Sequence, residues 1–140
     1  MVQATPFLLM LFLALGAPVL SSLQCILTGR WVNDLGSNMT ITNVNAKSVF
    51  TGIYYTSATM KKTEESPLQG FQHLPNLLSQ PTFGFTIHWS FSDSITVFTG
   101  QCFVDDNGKE VLKTMWLLRP HADKLKNNRN NDSTGCMAHS

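Results

Sequence analysis

The sequence has no excess of either charge. Ten Lys and Arg stand against nine Asp and Glu, a net charge of +1. That excludes the basic footprint of a nucleic-acid-binding domain and the acidic excess of a solvating tail. Charged residues make up 14% of the chain, well under the roughly 25% of an average soluble domain. Metal-ligand spacing is missing too. Cys25, Cys102 and Cys136 lie far apart, and His73, His88, His121 and His139 form no i,i+4 pair, so no metal site is expected. There is no Ser-His-acid spacing, no pair of carboxylates on one inward face and no glycine loop to cradle phosphate. The sequence therefore argues against an enzyme. No stretch sustains a helical period.

Long apolar runs are limited to one. Residues Phe7 to Leu15 read FLLMLFLAL, short of the about 20 residues that a membrane span needs. Ala17, Val19 and Ser21 then supply residues that a signal peptidase accepts. Residues 1–22 read as a signal peptide, and the mature protein as secreted, extracellular and without a membrane partner. In an oxidising compartment three cysteines give one disulfide and one leftover. Bridging Cys25 to Cys102 would close a loop of about 78 residues, worth about 4 to 5 kcal/mol in chain entropy. Cys136 sits in a polar tail with no obvious partner. The sequons Asn38-Met39-Thr40 and Asn131-Asp132-Ser133 mark Asn38 and Asn131 as glycosylation acceptors.

What is present is β-structure. The length of 140 residues is one domain. The spacing predicts strands over Ile26–Asn33, Met39–Val44, Val49–Thr56, Ser94–Val104 and Lys109–Leu118, with a short one at Gln69–His73. Ser57–Pro67 reads as a loop. Phe83, Phe85, Ile87, Trp89 and Phe91 alternate with Gly84, Thr86, His88 and Ser90, a period of two with one face buried. Asp34–Ser37, Asn45–Ser48 and Asp105–Gly108 read as turns, the last because Asn-Gly accepts positive φ. The resulting all-β chain suits an antiparallel up-and-down barrel or a sandwich. Pro120–Ser140 is polar and Asn-rich, and is expected to be disordered.

The inward faces carry large aromatics, Trp31, Trp89, Phe91, Phe98 and Trp116. By parity they also carry uncharged hydrogen-bonding residues, Asn33, Tyr54, Thr56, Ser94 and Thr96. Such a mixture fills a small barrel as core or lines a cavity for a small ligand. Buried polar groups need partners, which favours a polar ligand. Gly29-Arg30-Trp31 is a G-x-W opening a first strand, shared by lipocalins and other ligand-binding barrels. A lipocalin-like carrier of another small apolar ligand is the alternative reading, as is a barrel variant that binds nothing.

The stretches TGRWVNDLGSNMTI, ESPLQGF, QPTFGFTIHWSFSDS and VFTGQCFVDDNGKEVLKTMWLLR together resemble avidin and its relatives, the eight-stranded biotin-binding barrels. The resemblance covers Cys25 to Arg119. It implies a domain over 23–119, a Cys25–Cys102 disulfide, homotetramers, biotin as bound ligand and no cofactor.

Residue by residue, it places Asn33, Ser37 and Tyr54 as donors to the ureido oxygen, which convergent donors polarise as an oxyanion hole would. Thr96 accepts a ureido N–H. Trp89, Phe91, Phe98 and Trp116 box the rings, and Leu118 is a wall contact. Thr56, Thr59, Ser92 and Ser94 lie near the valeryl chain and its carboxylate. The loop after Thr59 is shorter than the family's and holds Met60-Lys61-Lys62. The family's last strand carries an intersubunit Trp and an Asn for the second ureido N–H, but no Trp follows Arg119 here. The chain is therefore expected to lack its eighth strand, leaving open edges, a divergent tail over 120–140 and a weakened biotin site.

Overall fold

A computed structural model of the chain describes residues 24–57, 64–73, 80–127 and 131–139. Residues 1–22, expected to be a signal peptide, Thr59 and the Met60-Lys61-Lys62 stretch lie outside the described residues. Eight antiparallel strands form a closed barrel: β1 (Gly29–Asn33), β2 (Asn38–Val44), β3 (Val49–Thr56), β4 (Glu64–Gln72), β5 (Thr82–His88), β6 (Ile95–Val104), β7 (Glu110–Arg119) and β8 (Asn131–His139). Each strand pairs with the next, and β8 returns to β1.

The expected absence of an eighth strand is corrected here. β8 pairs with β7 from Leu118↔Asn131 to Val111↔Ala138. It pairs with β1 through Trp31↔His139, Val32↔Ala138 and Asn33↔Met137. The barrel is closed, so β1 and β7 do not present the open edges expected from the tail's composition. Two partner strands offer a ladder on both sides, and that context overrides weak local β-propensity.

A second correction concerns β4. The expected loop ends at residue 63, because Glu64–Gln72 pairs with β3 along its length. Pro67 pairs with Ile53 of β3 one residue before the ladder to β5 begins at Leu68, so it stands where β4 is an edge on its β5 side, the setting in which sheets tolerate proline. Trp89 and Phe91 are corrected too: β5 ends at His88, so both belong to the turn that follows it.

Three of the turns share one design. Asn33, Asn45 and Asp105 each accept two backbone N–H bonds on the side-chain oxygen, from the residues two and four positions on, at 2.8–3.0 Å. The residue three positions on has positive φ: Gly36 (82°), Ser48 (65°) and Gly108 (79°). Asx side chains make this turn because they mimic a backbone carbonyl. In the last turn only Gly108, not Asn107, is left-handed.

Alternation sends Met39, Ile41, Phe50, Leu68, Phe83, Phe85, Ile87 and Leu112 inward, all buried. Trp31 is fully buried and donates its Nε1–H to the Leu27 carbonyl at 2.8 Å. It belongs to the core, not to the cavity wall. Cys25 and Cys102 are disulfide-bonded, with Cα atoms 5.8 Å apart. Up-and-down order puts the turns after β1, β3, β5 and β7 at one end, the mouth. The disulfide, the 105–109 turn and the start of β1 sit at the other.

Candidate functional site

A cavity of about 820 Å³ opens at the mouth, within the range typical of small-molecule sites. Every described residue that the sequence placed in the binding site lines it, and Thr59 lies outside the described residues. Asn33 closes β1, and Ser37 sits on the turn that follows. Tyr54 and Thr56 come from the end of β3, and Trp89, Phe91, Ser92 and Ser94 from the β5–β6 turn. Thr96 and Phe98 come from β6, and Trp116 and Leu118 from β7. Four further lining residues escaped sequence reading: Asp34, Leu35, Thr114 and Met137. Parity with Trp116 could have found Thr114. Met137 lies in the tail, whose composition carries no strand signal.

One wall is polar. Asn33 commits its Oδ1 to the turn, which leaves its Nδ2 as donor. That nitrogen points to the Tyr54 phenol oxygen at 3.4 Å. The Ser37 hydroxyl hydrogen-bonds the same phenol and accepts the Ser57 N–H at 3.5 Å. Ser37 and Tyr54 are both buried. Burial raises the Tyr54 pKa above its ordinary 10.0, and the Ser37 hydrogen bond offsets only part of that. The phenol therefore keeps its proton as a donor across the physiological range.

The opposite wall is aromatic and continuous. Trp116 stacks on Phe98 (centroids 5.6 Å, 28°), and Phe98 tilts against Tyr54 (6.1 Å). Trp89 meets Tyr54 edge-on (5.6 Å, 90°), and Phe91 leans on Trp89 (5.5 Å). Trp89 donates its Nε1–H to the Thr96 Oγ1 at 2.8 Å. A hydroxyl oxygen has two lone pairs, so Thr96 can still accept one more donor. Behind this wall Phe85 stacks on Phe98 at 4.7 Å.

Asp34 is the single charged group among the described lining residues. The cavity thus suits a flat, neutral, largely apolar ligand with one strong acceptor and an adjacent N–H. Nothing in this wall activates a nucleophile: the groups are donors, an acceptor and rings.

Comparison with known proteins gives the same architecture a lineage. The sequence pattern of the Avidin family matches residues 21–137, running past Arg119 into β8. The chain is similar to "Avidin" of Gallus gallus, with 62% identity over 130 residues covering 89% of this chain and 86% of that protein. It is also similar to "Avidin-related protein 4/5" of Gallus gallus, 61% identical over 120 residues, covering 84% and 79%. Among solved structures, Xenavidin superposes with a TM-score of 0.77 at 45% identity, covering 84% of this chain and 99% of that one. A biotin binding protein from chicken superposes at 0.75 and 46%, covering 83% and 97%. With a family match spanning nearly the whole barrel and an eighth strand in place, the chain belongs to the avidin family.

Proposed function

We propose that this chain is a secreted biotin-binding protein that sequesters the vitamin non-covalently, without a cofactor. The observation that carries the reading is the Asn33–Ser37–Tyr54 cluster facing the aromatic wall. A ureido oxygen accepts from the three donors, and a ureido N–H is given to Thr96. The fused rings fill the space between Trp89, Phe98 and Trp116, with Phe91 and Leu118 at the flank. The tail runs out past Thr56, Ser92 and Ser94.

The eighth strand removes the ground on which a weakened site was expected, and Met137 of that strand lines the cavity.

Outward, Val97 and Leu117 face each other across β6 and β7, with Met115 beside them, and all three are exposed. Copies of the chain associate through this face, as homotetramers in the family reading. The leader at 1–22 directs export, and Asn38, half-buried at the start of β2, is glycosylated, as is Asn131.

Calorimetric titration of the purified secreted protein with biotin tests the reading. Saturation at one site per chain is expected. A folded protein that takes up no biotin would leave an avidin scaffold without that ligand.

A further inference from the structure

The backbone ladder between β4 and β5 ends at Leu68↔Ile87, yet the two segments stay joined beyond it through side chains. Ser66 is fully buried on β4, opposite Tyr54 of β3. Its hydroxyl oxygen accepts the Ser90 N–H at 3.1 Å. The Ser90 hydroxyl donates to the Glu65 carbonyl at 2.6 Å. With that proton committed, Ser66 is the donor across the 3.3 Å between the two hydroxyls. Both serines are satisfied, and they satisfy each other.

The bonds land on a mechanically decisive residue. Ser90 sits between Trp89 and Phe91, in the turn that carries four of the cavity's lining residues. Trp89 has one further polar tie, its Nε1–H to Thr96, and Phe91 is exposed at the mouth. We propose that Ser66 and Ser90 form a clamp that holds the β5–β6 turn against β4, and so set how long the aromatic wall retains its ligand. They are positioning residues: neither lines the cavity, and both act through Trp89 and Phe91. This rests on the biotin reading, because the ligand's residence time is what the clamp controls. A ligand leaves past Phe91 and Trp89, so loosening the turn speeds departure more than arrival.

The test compares the full chain with Ser66→Ala and Ser90→Ala by stopped-flow release of a fluorescent biotin conjugate. Ser66→Ala removes both bonds to Ser66, and its dissociation rate is expected to rise about tenfold, equivalent to about 1.4 kcal/mol. The association rate stays within a factor of about two. Ser90→Ala keeps the amide bond and loses both hydroxyl contacts, to the Glu65 carbonyl and to Ser66, so its dissociation rate rises about threefold, less than where the buried amide bond itself is lost. In the unliganded proteins, amide hydrogen exchange over residues 90–93 accelerates in the same order. Dissociation rates equal to wild type in both variants overturn the proposal, even where exchange is faster. If Ser66→Ala does not fold, a wild-type dissociation rate in Ser90→Ala overturns it. If the unmodified chain takes up no biotin, the functional reading fails and the clamp is judged by exchange alone. Wild-type exchange at Ser90 in Ser66→Ala then overturns it.

Discussion

Asn33 does two jobs with the two ends of one amide. Its oxygen holds the turn by accepting the Leu35 and Ser37 N–H groups at 3.0 and 2.9 Å, and its nitrogen faces Tyr54. The first job needs only a side-chain oxygen, as Asp105 shows in its own turn. Asn33→Asp should therefore keep stability within about 0.5 kcal/mol. It should weaken biotin binding by at least about tenfold, because a carboxylate donates nothing and accepts the hydrogen bond that the phenol O–H otherwise offers to the cavity. Chemical denaturation and calorimetry on the one variant separate the two roles.

Tyr54 gives a pH dependence of known sign. Its pKa is raised by burial in the folded barrel, while the unfolded phenol titrates near its ordinary value. The stabilisation this represents is complete below about pH 10 and lost as pH rises through the higher folded pKa, since only the unfolded chain then gives up its proton. Denaturation at about pH 9 and about pH 11 should show this fall in the unmodified chain and a smaller one in Tyr54→Phe. These two residues were legible in the sequence because parity and the family likeness agree on them. Asn33's second role was not, since which amide end faces the turn depends on a backbone fold that no spacing encodes.

At the scale of elements, β8 is the least legible and the most consequential. The tail reads as polar and without alternation, yet β7 offers it a long ladder and β1 a short one. What the tail lacks in apolar residues it supplies at single points. Met137 is buried, and His139 stacks on Trp31 at 3.8 Å. The imidazole Nδ1 lies 3.3 Å from the Arg30 carbonyl. A carbonyl only accepts, so Nδ1 carries the hydrogen in that bond. Nε2 lies 3.6 Å from Glu110. The β1–β8 seam is only three residue pairs long, so this one side chain carries much of it. His139→Ala should lower stability by about 1 to 2 kcal/mol, from the lost ring contact and hydrogen bond. Urea denaturation would register this as a lower midpoint at unchanged m-value. The first half of β4 was illegible for a different reason: Ser57–Pro67 is polar and reads as a loop, and only the pairing of Glu64–Pro67 with β3 makes it a strand.

Across the whole molecule, sequence reading recovered the barrel class, the disulfide and the order of strands. Closure escaped it, because closing a barrel is a property of the strand that arrives last. The outer face of β6 and β7 matters at this scale. Exposed Val97, Met115 and Leu117 leave an apolar strip that a lone barrel has no use for. Light scattering should find an oligomer, and Met115→Lys should shift it toward smaller species, since a buried unpaired charge at an interface is strongly unfavourable. The same variant should keep its far-UV circular dichroism spectrum, because Met115 contributes nothing to the inner core.

The seam has an engineering corollary. Antiparallel pairing of Trp31 with His139 brings the start of β1 and the end of β8 together at the end of the barrel away from the mouth. A short peptide bridging them would turn the seam into one more hairpin. The chain could then be opened in the turn at 105–109, which lies at that same end and bears no cavity residue. Such a circular permutant would begin with β7 and place β8 and β1 mid-chain. The strand that closes the barrel would then be joined to both of its partners through the chain, and the ligand wall would be left untouched.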